Sequence, residues 1–430
     1  MSRPCSCIRR LAGTRAREIQ FGRFLRNRSV TAGEMACHVG ERTAERAAGR
    51  DVVVIQDTSE LVLGGRRAKE NGYGKVGKGG VLHGLLLHAT LAVDAATGSV
   101  IGLLDAKVWN RKAVNVKHRR SRKTSNKESQ RWIDATLHAG EALVQANGIT
   151  NVSDRESDIY EHFARRPPNV DLIVRTCQNR RVETDDEEQI DLLFAQVDSQ
   201  PEQGRFKVKI PAAPGRKERL AELAVRFARV AVCKPMHGAA HDLPATVTLT
   251  MIDVRETSKP AKGEPVHWRL TTTHEVANLS QARRIIDLYR LRWTIEEFFH
   301  TLKTAGFNIE AADIGDPKVM IKFVTAAAVA AVTVMQLVKA RDGVTGEKLT
   351  DAFDPADQPV LEAASAQLEG KTAKQRNPYP RGSLAFAAWV IARLGGWTGY
   401  YGKPGPQVMR RGLDDFQRIK YGASFGLQHV

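Results

Sequence analysis

The chain has 430 residues, of which 42% are hydrophobic and 26% are charged. This composition is typical of a folded protein rather than a disordered one, and the length is enough for two or three domains. Lys and Arg outnumber Asp and Glu by 65 to 48, so the formal net charge is +17. A strongly basic chain indicates a polyanionic partner, and on charge alone DNA, RNA and an anionic membrane all stay open.

The five cysteines are few and scattered, which argues against a disulfide framework and predicts a reducing compartment. The basic N-terminus lacks the apolar core of a secretory signal, and an Arg-rich transit peptide is the alternative. The long apolar run from Phe323 to Val338 follows Lys322 and contains Gln336. These polar residues favour a buried helix over a membrane span. We therefore expect a cytoplasmic protein with no membrane partner.

The first 50 residues are rich in Arg, and their periodicity predicts helices at Ala16–Arg26 and Thr31–Ala48. The β-branched run Val52–Ile55 then predicts a buried strand that ends before Asp57. An acid directly after a buried strand lies at a sheet edge, where active sites are common. The alternative is a turn in which Asp57 caps the two residues that follow it.

Two further strands, Gly84–Val93 and Val100–Val108, form a meander with the first strand. The segment Lys107–Lys127 then contains nine Lys or Arg residues and no acid. Such a run is usually a solvated loop. In a basic protein it is also suited to clamping a DNA backbone, with a steep dependence of affinity on salt.

A predicted helix, Glu128–Val144, leads to a short strand, Ile149–Val152. This strand delivers Asp154 to the start of another helix. Acids in the first turn of a helix also complement its dipole, so Asp154 has a structural alternative. A strand at Val170–Thr176 follows and ends near Arg175.

Residues 177 to 266 alternate in polarity and predict a β-rich insertion, with strands at Phe206–Ile210, Arg226–Val232 and Ala245–Val254. Within it, the spacing of Cys233, His237 and His241 suggests zinc, but a structural zinc site needs four ligands. A strand from Val266 to Thr273 follows and contains Trp268. Its indole either fills the core beneath the strand or offers a stacking surface to a base.

The segment Tyr289–Lys303 predicts one amphipathic helix. At about 100° per residue, four polar residues share one side within roughly 60°. They are Tyr289, Arg292, Glu296 and Lys303. An apolar side runs beside them, comprising Leu288, Leu291, Ile295, Phe298, Phe299 and Leu302. A surface salt bridge between Arg292 and Glu296 is the structural alternative. A fixed carboxylate between cations suits phosphate chemistry, with the acid for a metal ion and the cations for phosphate oxygens.

After Gly306 the chain is predicted to be mainly helical. A Pro-containing basic link lies at Lys371–Arg381, and an apolar helix at Leu384–Leu394 stops at Gly395.

Three motifs carry a family resemblance. The spacing Tyr-x2-Arg-x3-Glu-x6-Lys at Tyr289–Lys303 resembles the signature of bacterial cut-and-paste DDE transposases of the insertion-sequence-four family. The string Asp154-Arg-Glu-Ser-Asp-Ile-Tyr160 resembles the segment around the second catalytic Asp of that family. Phe21–Asn27 resembles part of its N-terminal DNA-end-binding region, whereas Met1–Gly13 does not match the family.

The predicted order of elements matches a ribonuclease-H-like α/β fold, a mixed sheet interrupted by the insertion at about 177–266, with helical N- and C-terminal regions. We expect a DNA-binding region at 1–50, a catalytic domain at 51–306 and, by the resemblance, a dimerisation region at 307–430. In this fold the first and fourth strands are neighbours, so Asp57 and Asp154 meet and the late helix brings Glu296 over them. Three such carboxylates repel one another unless cations lie between them.

The resemblance implies that Asp57, Asp154 and Glu296 are catalytic and bind two Mg²⁺ or Mn²⁺ ions, roughly 3.5–4 Å apart. It assigns the DNA phosphates to Tyr289, Arg292 and Lys303, with Arg175 as a further DNA contact. It also implies that Trp268 stacks on a base flipped out near the cleavage point.

The implied function is DNA transposition by metal-dependent cleavage, a hairpin intermediate and strand transfer. The expected partners are double-stranded DNA, as terminal inverted repeats and target, and a second copy of the chain in a synaptic complex. We expect a bacterial, nucleoid-associated protein. Two alternatives stay open, an N-terminally truncated protein that inhibits transposition or binds DNA without transposing, and a metal-dependent nuclease. No RNA-reading aromatic motif is evident.

Overall fold

The computed structural model describes residues 8–63, 66–111, 124–184, 191–210, 218–237, 240–260 and 263–426. In these ranges twelve strands form one mixed sheet. The strands are β1 Asp51–Val62, β2 Gly74–Val76, β3 Leu82–Asp94, β4 Val100–Trp109, β5 Gly148–Ser153, β6 Val170–Arg175, β7 Arg181–Val182, β8 Asp191–Leu192, β9 Gly204–Ile210, β10 Arg219–Cys233, β11 Thr246–Glu256 and β12 His267–Thr272.

The described part of the chain contains thirteen α-helices. They are α1 Ile8–Ala12, α2 Arg15–Arg26, α3 Ala32–Ala47, α4 Arg66–Glu70, α5 Gln130–Ala142, α6 Tyr160–Ala164, α7 Leu193–Asp198, α8 Leu279–Arg290, α9 Trp293–His300, α10 Pro317–Ala340, α11 Gln358–Leu368, α12 Leu384–Leu394 and α13 Pro406–Gly426. A π-helical turn covers Thr301–Ala305. Short 3₁₀ turns occur at Lys78–Gly80, Thr124–Asn126, Arg155–Ser157, Ile309–Ala311, Leu349–Asp351, Pro355–Asp357 and Ala373–Gln375.

The sheet has the order β2-β3-β1-β5-β6-β12-β11-β10-β7-β8, with β4 also paired to β3 and β9 to β10. Strand β1 pairs in parallel with β5, and β5 pairs in parallel with β6. The predicted meander of β1, β3 and β4 is confirmed, as is the prediction that the first and fourth predicted strands, β1 and β5, are neighbours. The predicted β-rich insertion does form strands, and β10, β11 and β12 extend the same sheet.

Strand β1 is longer than the sequence predicts. It does not end before Asp57, because its pairing with β3 continues to Val62 opposite Gly84. Its pairing with β5 stops much earlier, at Ile55 opposite Val152. The alternative prediction, a turn in which Asp57 caps the two residues that follow it, is therefore wrong. Asp57 lies inside β1, beyond the point where β1 pairs with β5.

Side chains alternate across β1, so its two faces enter different cores. Val53, Ile55 and Leu61 join a core that includes Ile295 and Phe298. Val52 and Val54 join a second core, on the other side of the sheet. Asp57 lies two residues after Ile55, so its side chain points to the same face of the sheet, the face covered by α8 and α9.

The predicted N-terminal helices are confirmed as α2 and α3. Helix α3 begins with a capping box, in which Thr31 Oγ1 accepts from Glu34 N and the Glu34 carboxylate accepts from Thr31 N. It is fixed to the sheet where Thr43 donates to Leu103 O at 2.8 Å.

Helix α10 matches the predicted apolar run. By length and composition alone it would be able to cross a membrane, but more than half of its most apolar stretch is buried inside the protein. The buried Gln336 donates to Val100 O, Ile101 O and Asp351 O, which explains a polar residue in the middle of the run. The C-terminal helix α13 was not predicted, although Met409 and Phe416, both fully buried, follow helical spacing.

Candidate active site

The register between two parallel strands brings Asp57 and Asp154 together. Ile55 lies opposite Val152; Asp57 lies two residues further along β1, and Asp154 lies two residues further along the chain, directly after β5 ends at Ser153. Asp154 keeps an extended backbone, with φ −90° and ψ −174°, before the turn Arg155–Ser157 begins. By the alternation of strand side chains, both acids face the same side of the sheet as Ile55 and Val152.

The segment that carries the other polar residues is not one regular helix. Helix α8 ends at Arg290 and α9 begins at Trp293. At this junction Arg292 N donates to Tyr289 O, and Ile295 N donates to Arg292 O, so the bonds span three residues instead of four. These shorter bonds change the direction in which the following side chains point, compared with a regular α-helix. The π-helical turn that follows α9 changes it a second time. The predicted single helix is therefore wrong, whereas its apolar side is confirmed as part of the core, with Leu291 only partly buried against it.

Arg292 lies at the centre of the acidic residues. Its Nη1 is 3.7 Å from Asp57 Oδ2 and 3.3 Å from Glu296 Oε1. The side chain of Arg292 is 12% exposed and that of Asp57 is 21% exposed, whereas Glu296 is 42% exposed. Burial lowers the pKa of Arg292, but the nearby Tyr289, Asp154, Asp57 and Glu296 outweigh burial and raise it. The guanidinium thus carries a firmly held positive charge among three carboxyl groups.

The two Asp side chains are poorly solvated. Burial raises the pKa of Asp57 from 3.8 to about 6, against the opposing effects of the Thr58 N–H group and of Arg292. Glu296 and Asp154 add to the rise through repulsion. Asp154 Oδ1 is buried and accepts no hydrogen bond in the structure. A buried carboxylate oxygen without a partner is costly, so a ligand at this position would remove the penalty.

Tyr289 joins Trp268 and Arg175 to the site. The rings of Trp268 and Tyr289 meet edge to face, with centroids 6.0 Å apart. Burial raises the pKa of Tyr289, against the opposing effects of the nearby Arg292 and Arg175. Trp268 is only partly buried, against the core under α8. It therefore serves as core packing and also keeps part of its indole accessible.

Lys303 is directed towards the end of β1. Its Nζ donates to Glu60 O at 2.5 Å and lies 3.6 Å from Glu310 Oε1. Glu310 in turn accepts from Val62 N at 2.9 Å. The π-helical turn gives Lys303 this direction. The sequence prediction assumed regular helical spacing and therefore did not place Lys303 correctly.

The chemistry of the donors fits a hard divalent cation such as Mg²⁺ or Mn²⁺. Two carboxylates, Asp57 and Glu296, contact Arg292, and the nearby Asp154 has an unpartnered buried oxygen. As the side chains stand, no three His, Cys, Asp or Glu residues in the described ranges are grouped closely enough to share a metal ion. Nη1 of Arg292 lies within reach of both Asp57 and Glu296, at 3.7 Å and 3.3 Å.

The structure gives little support to the hypotheses about the basic run and about a zinc site. Most of the basic run Lys107–Lys127 lies outside the described residues. Cys233 ends β10, while His237 and His241 are exposed in the following segment. The sequence reasoning missed Arg131, which donates to Thr58 Oγ1 next to Asp57 at 2.7 Å. A signal was present in the polar residues Gln56 and His88, each of which directly follows an apolar run within its strand.

Residues 111–331, just over half of the chain, match the family described as "Transposase DDE domain". The chain belongs to this family of DDE transposases. Asp154 and Glu296 lie inside the matched residues, and Asp57 lies before them.

A solved structure, the cryo-EM structure of a piggyBac transposase synaptic complex with hairpin DNA, is similar at 7% sequence identity with a TM-score of 0.33. The similarity covers 69% of this chain and 50% of the other, so the chain spans about half the length of that relative.

Proposed function

We propose that the protein is a cut-and-paste DNA transposase of the insertion-sequence-four type, with Asp57, Asp154 and Glu296 as its catalytic carboxylates. One observation carries the proposal, namely that Asp57 of β1 and Glu296 of α9 lie 3.7 Å and 3.3 Å from the guanidinium of Arg292, while Asp154, directly after β5, is near enough to raise its pKa. Such convergence of acids on one buried cation is characteristic of functional sites rather than of surface ion pairs.

Asp57, Asp154 and Glu296 would supply carboxylate oxygens to two Mg²⁺ or Mn²⁺ ions. When bound, these ions activate a water molecule or a 3′-hydroxyl and stabilise charge on the phosphate oxygens. Arg292 is then free to donate two N–H groups to a DNA phosphate, a geometry that a guanidinium suits well. Arg175 and the Tyr289 hydroxyl donate to neighbouring phosphate oxygens, and Lys303 holds the end of β1 while adding positive charge.

Trp268 provides the basis for the hairpin route. A base flipped out of the duplex can stack on its accessible indole, which is supported from below by Tyr289. Holding that base apart lets the free 3′-hydroxyl reach the opposite strand. The expected sequence is a nick, a hairpin, opening of the hairpin and joining of the end to target DNA.

We infer the same organisation that the sequence predicts. The sheet around β1, β5 and β6 is assigned as the ribonuclease-H-like core of a catalytic domain at 51–306, with 177–266 as its insertion. Residues 1–50 are assigned to DNA binding and 307–430 to pairing of two copies of the chain. The expected location is the nucleoid of a bacterial cell.

The test is an end-processing assay. Purified protein is incubated with Mg²⁺ and a labelled duplex that carries the inverted repeats flanking its gene, together with a target plasmid. We expect nicked, hairpin and joined products at the repeat boundary, all lost on addition of EDTA. Binding of the repeats without cutting would overturn the proposal in favour of an inhibitor or a DNA-binding protein. Cleavage without hairpins or joined products would overturn it in favour of a nuclease.

A further inference from the structure

A chain of buried polar side chains lies on the opposite face of β1 from Asp57. Gln56 and Thr58 flank Asp57 and point to this face by strand alternation. Gln56 and His88 are 0% and 1% exposed. Thr58 Oγ1 lies 2.8 Å from His88 Nδ1, and His88 Nε2 lies 3.0 Å from Gln56 Oε1. The backbone on both sides of Asp57 is thus held through the imidazole of β3.

The chain of hydrogen bonds continues to β5, the strand that directly precedes Asp154. Gln56 Nε2 donates to Asn151 Oδ1 of β5 at 3.0 Å, and Asn151 Nδ2 donates to Thr136 Oγ1 of α5 at 2.9 Å. Because the Gln56 amide nitrogen is used in this way, its Oε1 accepts from His88 Nε2–H. Nδ1 of the neutral ring then accepts from the Thr58 hydroxyl. Gln56 Nε2 also lies 3.2 Å from Trp132 O and 3.0 Å from Thr136 Oγ1, so its N–H groups are used inside the protein.

Arg131 closes this chain at the surface end. Its Nε donates to Thr58 Oγ1 at 2.7 Å, and its Nη2 bonds Glu156 Oε2 at 2.7 Å. Thr58 is the residue after Asp57, and Glu156 is two residues after Asp154. One guanidinium therefore ties together the two segments that leave the candidate active site.

The position of Arg131 is fixed by packing. Its guanidinium stacks on the Trp132 ring, 5.3 Å from the centroid, and lies 6.0 Å from that of Trp109. Nη1 donates to Glu128 O at 2.8 Å, and the side chain is only 11% exposed. Because these donors are used inside the protein, Arg131 is poorly placed to contact DNA. It is well placed to hold together the segments that follow Asp57 and Asp154.

We propose that Arg131, acting through Thr58 and Glu156, is a positioning residue that sets the separation of Asp57 and Asp154 for binding of a divalent cation. This inference rests on the proposed function, because it takes those two acids as the cation ligands. Residues that orient metal ligands commonly change metal affinity by 10- to 100-fold when they are replaced. Since Arg131 acts through the backbone next to Asp57, we expect an effect near the lower end of that range, about tenfold.

The experiment measures Mn²⁺ affinity of the full chain without DNA, by paramagnetic resonance of the free ion. Arg131→Lys keeps the charge, but one ammonium cannot reproduce the fork that joins Thr58 to Glu156. We expect it to weaken Mn²⁺ binding about tenfold. Arg165→Lys is the matched control, because Arg165 also joins two separate segments through side-chain acceptors, Glu161 and Asp242, away from the site. The control should leave the affinity unchanged.

A second pair of variants tests the same claim without touching Arg131. Thr58→Ser keeps the hydroxyl and should retain Mn²⁺ affinity, whereas the isosteric Thr58→Val should weaken it to the same degree as Arg131→Lys. Because both act along one chain, the double variant should be no weaker than either single variant. A purely structural role would lower the melting temperature of Thr58→Val and leave the affinity of the folded protein unchanged.

Asp57→Asn and Asp154→Asn separate the possible failures. If both weaken Mn²⁺ binding but Arg131→Lys and Thr58→Val do not, the positioning role is wrong and the proposed function survives. If neither Asp variant changes Mn²⁺ binding, both are overturned. Loss of DNA affinity in Arg131→Lys with unchanged Mn²⁺ affinity would identify Arg131 as a DNA contact and overturn the positioning role.

Discussion

Arg292 and Asp57 form an ion pair across the candidate active site, with Nη1 and Oδ2 3.7 Å apart. The same guanidinium also lies 3.3 Å from Glu296 Oε1. In this arrangement Arg292 supplies the positive charge that the acids require. We infer that a cation bound by the acids takes over this role and leaves Arg292 to the DNA. The proposed site therefore has two states: in one the acids pair with Arg292, and in the other they bind a cation while Arg292 contacts DNA.

Replacing Arg292 tests this exchange of charge. Without divalent cations, Arg292→Gln should lose about 1–3 kcal/mol of stability, because the carboxyl groups lose a charged hydrogen-bond partner. The stabilisation on adding Mg²⁺ should then be larger in the variant than in the wild type. Thermal unfolding with EDTA and with Mg²⁺ measures both effects. Arg290→Gln, which removes a surface pair with Asp287, is the control. An equal or smaller response to Mg²⁺ in Arg292→Gln would contradict the exchange.

The buried charge of Asp57 should make stability depend on pH. Its pKa is about 6 in the folded protein against 3.8 ordinarily. At low pH the group is protonated in both states and costs nothing. As the pH rises from 3.8 to about 6, the carboxyl group ionises in the unfolded state before it does in the folded state, so the wild type loses stability that Asp57→Asn keeps.

The difference in unfolding free energy between Asp57→Asn and wild type should therefore grow from roughly pH 4 to pH 6 and stay constant above. Its upper limit is about 3 kcal/mol, from about two pKa units. Denaturant unfolding in EDTA at several pH values measures it. Asp51→Asn, an acid on the same strand that is 55% exposed, is the control. A difference that does not vary with pH would show that Asp57 is not held in a desolvated position.

Much of this arrangement can be predicted from the sequence, because it depends on short local sequence patterns. The run Val52–Ile55 identifies a buried strand whatever its neighbours, and Asp154 follows a similar short strand. Two parallel strands in register then bring both acids to one place. The spacing of Arg292 and Glu296 holds because these residues are four apart within a continuous helical turn.

The remainder depends on tertiary contacts that no local pattern encodes. Strand β1 continues past Asp57 only because β3 pairs with it to Val62. The direction of Lys303 is set by acceptors from β1 and from Glu310. The role of Arg131 requires knowing that Thr58 and Glu156 lie on either side of it, and the sequence does not reveal this.

Trp268 should affect one step more than the others. In Trp268→Ala, the first nick should persist and hairpin formation should fall by about tenfold or more, since base stacking on an aromatic ring contributes about 1–3 kcal/mol. Trp268→Tyr retains a stacking ring and should recover part of the hairpin yield. Denaturing gels that resolve nick and hairpin provide the measurement. Equal loss of both products in Trp268→Ala would mean that Trp268 acts through packing on Tyr289 alone.

Arg175 should behave as a phosphate contact. In Arg175→Ala, affinity should fall equally for repeat-containing and unrelated duplexes, and the slope of log affinity against log salt should decrease by about one. Titrations at several salt concentrations provide the measurement. Arg181→Ala, which removes an exposed cation on nearby β7, serves as the comparison. An unchanged slope for Arg175→Ala would show that Arg175 only supports Tyr289.

The most direct test of the account is the rate of first-strand nicking at the repeat boundary in Mg²⁺ for Asp57→Asn, Asp154→Asn and Glu296→Gln. These changes keep the shape of each side chain and remove its charge. Metal-ion catalysis contributes several kcal/mol, so we expect each variant to be at least about 100-fold slower than the wild type while binding the repeats normally. A variant that nicks at the wild-type rate would remove that residue from the site and contradict the account.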